Sequence, residues 1–290
     1  MTYTIKNEKI SVSADEFGAQ LVSILGADGT EYLWQGDERY WTNRAPNLFP
    51  YVARLYGGKY MLDGREYSMK IHGFAKLFPF SCEMLSDTAM EMTLTDNAET
   101  LAQYPRHFCF KVRYEVEENV LKISFIVENR DEKTMYFGLG GHPGFNVPLA
   151  PGTRFEDYRL RFGEKCSPQR VLFSDDCFVT GINDAYELED NSIHLRHDLF
   201  DNDAVVLKNM AKSVTIECEG DSRSVTVSYP GMKYVGFWHA VKTDAPYVCV
   251  EPWCSLPSNL GETTVFEEKS DIIKLPSGET YVNEWTIAIN

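Results

Sequence analysis

Apolar side chains in this chain recur at every second position, and that period governs what it can fold into. Phe110, Val112, Tyr114 and Val116 alternate with Lys111, Arg113, Glu115 and Glu117. After Glu118-Asn119 the pattern resumes at Leu121, Ile123, Phe125 and Val127. Successive side chains on an extended strand point to opposite faces, so this spacing predicts a two-strand meander with one buried face. Asp63-Gly64 separates residues 59–62 from residues 65–69, and Asp28-Gly29 precedes the run at residues 31–34. Asp-Gly accepts the positive φ angles of a tight turn, so a hairpin is expected at each. Val214, Ile216 and Cys218 followed by Val225, Val227 and Tyr229 read as another hairpin, and residues 281–289 as a last strand. No stretch sustains a helical period; Asn97 is placed to cap one short helix over residues 98–103, which Pro105 would end. Closely spaced strands, with no Pro/Ser-rich linker and no internal repeat, predict an all-β chain. The expected architecture is a large antiparallel β-sandwich, with residues 1–290 as a single domain. Residues 148–202 are richer in charge and turns and are expected to supply loops and edge hairpins.

Charge removes several classes of partner. Asp and Glu total 43 against 28 Lys and Arg, a net charge of −15. Nucleic acid and anionic membrane surfaces both need a positive footprint, so neither is expected as the main partner. There is no apolar run of the roughly 18 residues a spanning helix needs, and the N-terminus lacks a signal pattern. A cytoplasmic location is expected. The seven cysteines are odd in number and scattered, with no CxxC pair. They are expected to be reduced, acting as small hydrophobes rather than zinc or redox ligands. The chain has no GxSxG elbow, GxxxxGK[ST] loop, GxGxxG helix start or HExxH, so no serine nucleophile or nucleotide cofactor is signalled.

A few ionisable residues stand in restricted backbone. His142 lies in Gly140-Gly141-His142-Pro143-Gly144, and Glu251 follows a short apolar run and directly precedes Pro252. A following proline holds each in extended geometry, which suits a side chain that must aim at a reacting atom. The other reading is a turn-capping histidine and a solvated strand end. His72, in Ile71-His72-Gly73-Phe74-Ala75-Lys76, is either a loop histidine or a site residue. Arg54 closes the apolar stretch from Leu48 and is either a site residue or half of a salt bridge at the core edge. His194, His197 and Asp198 have a spacing that could suit a metal, but without a third ligand cluster a surface loop is the reading preferred.

Taken in order, several segments make the chain resemble the aldose 1-epimerase (galactose mutarotase-like) superfamily, and within it the LacX-like branch. They are Trp34-Gln35-Gly36-Asp37 with Tyr40-Trp41, Asn47-Leu48-Phe49-Pro50 through Arg54, and His72-Gly73-Phe74-Ala75. Gly141-His142-Pro143-Gly144-Phe145-Asn146, His197-Asp198-Leu199-Phe200 with Asn202-Asp203, and Val250-Glu251-Pro252-Trp253 complete the set. The resemblance implies a β-sandwich with a sugar cleft on one face, needing neither metal nor organic cofactor. It implies His142 as the acid that protonates the ring oxygen and Glu251 as the base at the anomeric hydroxyl. Arg54, His72 and Asp203 would bind substrate. The branch commonly has Arg after its HGFA run, where this chain has Lys76. Trp253 stands where galactose mutarotases differ, so a galactose preference does not carry over.

The residue types suit mutarotation, in which the hemiacetal opens, the C1–C2 bond rotates and the ring recloses. Opening needs one proton removed from the anomeric hydroxyl and one delivered to the ring oxygen, both oxygens being bonded to the same carbon. The small-molecule partner is expected to be a sugar, and the protein a monomer or homodimer. Three other functions remain open from sequence: an epimerase for hexose 6-phosphates using Arg54, Lys76 and Arg106, a non-catalytic carbohydrate-binding protein, and a glycoside hydrolase using Asp203 with Glu251.

Overall fold

A computed structural model describes residues 1–290. Its architecture follows from the period-two pattern. The strands Phe108–Glu117 and Val120–Asn129 pair antiparallel with Glu117 opposite Val120, so Glu118-Asn119 forms the two-residue turn. Val112, Tyr114, Ile123 and Phe125 are buried on one face, as the alternation requires. These strands are central to a nine-stranded sheet. Beyond Val120–Asn129 come the C-terminal strand Thr280–Ile289 and the hairpin Ser224–Ser228 with Ser213–Cys218. Tyr158–Phe162 and Ser192–His194 close that side; Ala89–Thr95 and Ser81–Ser86 close the other.

An eight-stranded sheet packs against it. Its path runs Val179–Ala185, Gln169–Phe173, Val205–Lys208, Tyr234–Trp238, Tyr247–Trp253, Gly140–Gly141 and Asn47–Leu48. Gly144–Asn146 also pairs with Tyr247–Trp253. Residues from both sheets share one apolar cluster of 67 side chains, spanning Ile5 to Ile289. Phe162 of the first sheet meets Phe237 of the second edge to face at 6.2 Å. The molecule is thus a large β-sandwich whose sheets are antiparallel. One pair of named strands departs: Thr264–Val265 runs parallel to Lys59–Leu62 in a small three-stranded sheet. No helix is long and apolar enough to cross a membrane.

Local expectations hold where the chemistry is local. Asp63 and Gly64 adopt φ of 51° and 70° and join Lys59–Leu62 to Arg65–Ser68. The helix Ala98–Gln103 is capped by Asn97, whose side chain accepts from the backbone N–H of Glu99 and Thr100; the Thr100 hydroxyl accepts from Asn97 N–H in return. The hairpin expected at Asp28-Gly29 is reduced to one bridge, Leu25 to Glu31. Two backbone bonds flank that bridge, Gly26 N–H to Thr30 O and Tyr32 N–H to Ile24 O, and the Glu31 carboxylate adds to them by accepting from Ile24 and Leu33 N–H. Leu33 and Trp34 turn instead toward Phe145 and Gly144. Residues 148–202 supply one edge strand to each large sheet, Ser192–His194 and Val179–Ala185, as expected.

Candidate active site

The strand Tyr247–Trp253 is buried at every position. Alternation sorts its residues: Val248 and Val250 join the apolar core between the sheets, while Cys249, Glu251 and Trp253 face the other way. The neighbouring strands sort in the same manner, with Val205, Leu207, Val235 and Phe237 inward and Val206 and Trp238 lining a cleft on the outer face. Register then builds the cleft floor. Val206 pairs with Gly236, and Gly236 with Glu251. On the far side Gly140 pairs with Trp253 and Gly144 with Cys249, so the same register carried through the intervening residues sets His142 across from Glu251. Residues directly opposite in antiparallel strands are near neighbours, and His142 Nε2 lies 3.3 Å from Glu251 Oε2.

Glycines allow this approach by their smallness. A Cβ on Gly141 would stand 2.6 Å from the Trp285 ring, and one on Gly140 2.7 Å from Pro252 O. Neither takes a positive φ. Of the two uses of glycine around His142, close packing is the one realised.

The cleft, about 280 Å³, is lined by all five residues singled out from sequence: Arg54, His72, His142, Asp203 and Glu251. His72 and Ala53 both take positive φ, 65° and 57°. They bond reciprocally: His72 N–H donates to Ala53 O, and Ala53 N–H donates to His72 Nδ1. With Nδ1 accepting, the proton of the neutral ring belongs on Nε2, so His72 is a donor. Burial, and then His142, hold its pKa well below the ordinary value. Arg54 and Lys76 line the cleft and form no ion pair. Asp203 accepts from Cys177 Sγ at 2.8 Å and from Ala204 N–H at 3.0 Å.

Electrostatics at the floor are set by dryness. Burial pulls His142 down to about 3. Burial, then the Asp203 charge, push Glu251 well above the ordinary carboxyl value. His142 Nδ1, Glu251 Oε2 and Trp253 Nε1 are buried and lack hydrogen-bond partners. With so few dipoles to solvate an ion pair, the neutral imidazole facing a protonated carboxyl is the lower state of the pair. The two ends hold one proton between them over a broad range.

Two expectations are corrected. Arg106, a candidate for phosphate, is 2% exposed and lies outside the cleft. It is held by Asp63 at 3.0 and 3.1 Å and by Thr134 O. His197 is half-buried rather than a plain surface residue, stacked on Phe155 at 4.2 Å and bonded to His239 at 3.1 Å. His194 is exposed on its edge strand. Sequence reasoning assigned no role to Trp41, which stacks on His142 at 4.8 Å, or to Trp238, Cys177 and Cys249. Only the crowding of Trp34, Tyr40 and Trp41 beside a turn hinted at an aromatic wall.

A β-sandwich with a cleft over a buried histidine–carboxyl pair narrows the class of protein, and the comparisons supply the family. The chain belongs to the aldose 1-epimerase family, whose profile matches residues 1–287. It is similar to the chromosomal Protein LacX of Lactococcus lactis subsp. lactis, with 30% identity over 298 aligned residues covering 100% of this chain and 99% of that one. Among solved structures it resembles a galactose mutarotase related enzyme from Lactobacillus acidophilus (TM-score 0.95, 30% identity, 100% and 97% coverage). It equally resembles a galactose mutarotase-like protein from Lactobacillus casei ATCC 334 (TM-score 0.95, 32% identity, all of both chains). The family supports a carbohydrate epimerase or mutarotase kind of function and a sugar as partner.

Proposed function

We propose that this protein is an aldose 1-epimerase that interconverts the α and β anomers of a monosaccharide in the cytoplasm, where seven unpaired thiols persist. The observation that carries this reading is the 3.3 Å approach of His142 Nε2 to Glu251 Oε2 in one cleft, with Glu251 Oε2 otherwise unpartnered. The ring oxygen and the anomeric hydroxyl are bonded to the same carbon, so adjacent tips can serve both. The proton of the pair passes from Glu251 to His142; His142 then delivers it to the ring oxygen as the C1–O5 bond breaks. Glu251 takes the proton of the anomeric hydroxyl, and the C1–O1 bond becomes a carbonyl. That transfer returns the pair to its favoured neutral form. After rotation about C1–C2 the steps reverse on the other face. When His142 donates as Glu251 accepts, the pair ends with the charge it began with, so no uncompensated charge is left in the dry floor.

Arg54 and His72 present donors, and Asp203 an acceptor, to sugar hydroxyls, while Trp41 and Trp238 offer apolar faces to the ring. The test is polarimetry on wild type, His142→Asn and Glu251→Gln. Loss of about 10²–10⁴-fold in both variants supports the assignment; wild-type rates in both end it, and sugar binding without exchange in the wild type identifies a binding protein.

A second reading has one observation in its favour. Arg54 and Lys76 stand in the cleft without carboxylate partners, which suits a sugar bearing a phosphate. Rates on free and 6-phosphorylated hexoses separate the two.

A further inference from the structure

The cleft floor contains a third group that the proposed reaction leaves unused. His142, Cys249 and Glu251 each offer one donor atom, and those atoms lie within 4.8 Å of one another. Cys249 precedes Glu251 by two residues on the same face of its strand and is fully buried. Glu251 is 2% exposed, and its Oε2 meets only His142 Nε2, at 3.3 Å; His142 Nδ1 has no partner. These are buried lone pairs converging from two strands with no cationic side chain among them.

Charge and donor type select the ligand. A thiolate and a carboxylate bring two negative charges and an imidazole none, so a divalent ion makes a neutral assembly, the kind a dry site tolerates. Sulfur and nitrogen donors favour a borderline-soft transition ion over magnesium or calcium. We propose that the cleft floor binds one zinc-type divalent cation through an imidazole nitrogen of His142, Cys249 Sγ and a Glu251 oxygen, with the fourth position open to the cleft. Metal bonds of about 2.0–2.3 Å require the donors to close by about 1 Å, and the ion enters past His142 and Glu251, which line the cleft. Coordination expels to solvent the thiol proton and the proton shared by the pair. The ion then occupies the imidazole and carboxylate that a sugar needs, so it inhibits anomer exchange in competition with sugar. The inhibitory half rests on the activity proposed above; the binding half does not.

Cobalt(II) added to the full chain is the probe. The expected result is one ion per chain, a thiolate-to-cobalt charge-transfer band, and a thermal midpoint that rises with cobalt concentration. Cys249→Ala loses the band and the thermal shift, and zinc inhibition of its anomer exchange weakens at least about 100-fold, the upper end of what loss of even an outer partner brings. Cys249→Ser, nearly the same shape, supplies the comparison where the alanine variant folds poorly. A cobalt spectrum without a sulfur band, or equal zinc inhibition of wild type and both variants, overturns the site. A wild type that shows the band, lost in the variants, but exchanges no anomers keeps this site and removes the proposed activity.

Discussion

Glu91 and Glu251 are both buried carboxylates on strands within the two large sheets, yet their surroundings are opposite. Glu91 sits across from Arg113, accepts from it at 2.6 Å, and meets Lys111 at 3.0 Å. Burial alone would raise its pKa, but the two cations outweigh burial and the net direction is down. Glu251 has no cation, only a histidine that burial keeps neutral, and its pKa goes up. The first is a charge matched for stability. The second is left unmatched, and an unmatched buried carboxyl beside an imidazole is the kind of arrangement that moves protons.

The largest contrast is expected from paired substitutions. Glu251→Gln lowers anomer exchange, read by polarimetry, by about 10²–10⁴-fold. Glu91→Gln leaves exchange near wild type and lowers stability by about 1–3 kcal/mol in urea unfolding, because Arg113 and Lys111 lose their acceptor. Similar losses of activity in the two variants would erase the distinction.

Next in size is the pH dependence of stability. A carboxyl whose pKa is raised by folding binds its proton more tightly in the folded chain. Its contribution is therefore full below the ordinary carboxyl value of 4.5 and is lost as pH climbs toward the raised value. Glu251→Gln removes this loss. The stability of the variant relative to wild type should grow by about 1.4 kcal/mol per pH unit across that window. His142 has the opposite sign: its pKa is depressed, so stability falls as pH drops below 6.5 and continues to fall toward about 3. Denaturant titrations at several pH values read both slopes.

Smaller still is the effect expected at Cys177. Its thiol, pushed up to about 11 by burial and by Asp203, stays protonated and donates to Asp203. Cys177→Ala should raise the sugar KM about 2–10-fold with kcat little changed, and Cys177→Ser should restore it. The smallest expected effect is the absence of one. With burial holding His142 down to about 3, its own titration should put no break in kcat/KM at the ordinary histidine value of 6.5. A break there would mean a solvated, independently titrating His142.

Much of this contrast was hidden in the sequence, for a physical reason. Period two, the Asp63-Gly64 turn and the Asn97 cap are local, and each could be read from a few neighbouring residues. The ordered motifs also singled out five residues that share the cleft. What could not be read was register. His142 and Glu251 lie 109 positions apart in the chain, and only the pairing of Gly140 with Trp253 and Gly144 with Cys249 sets them opposite. For the same reason Arg106 looked available until Asp63 came beside it from another hairpin. Residues that act through non-local neighbours carry no local signature.

Infrared difference spectra of wild type minus Glu251→Gln, with 13C-labelled glutamate at about pH 6, report the proton of the pair directly; that pH lies above the ordinary glutamate range. A protonated-carboxyl band belonging to Glu251, together with a neutral His142 ring by 15N NMR, is the expected result. A carboxylate band at that pH beside an imidazolium would show a permanently charged salt bridge, and the single shared proton on which the chemistry rests would be refuted.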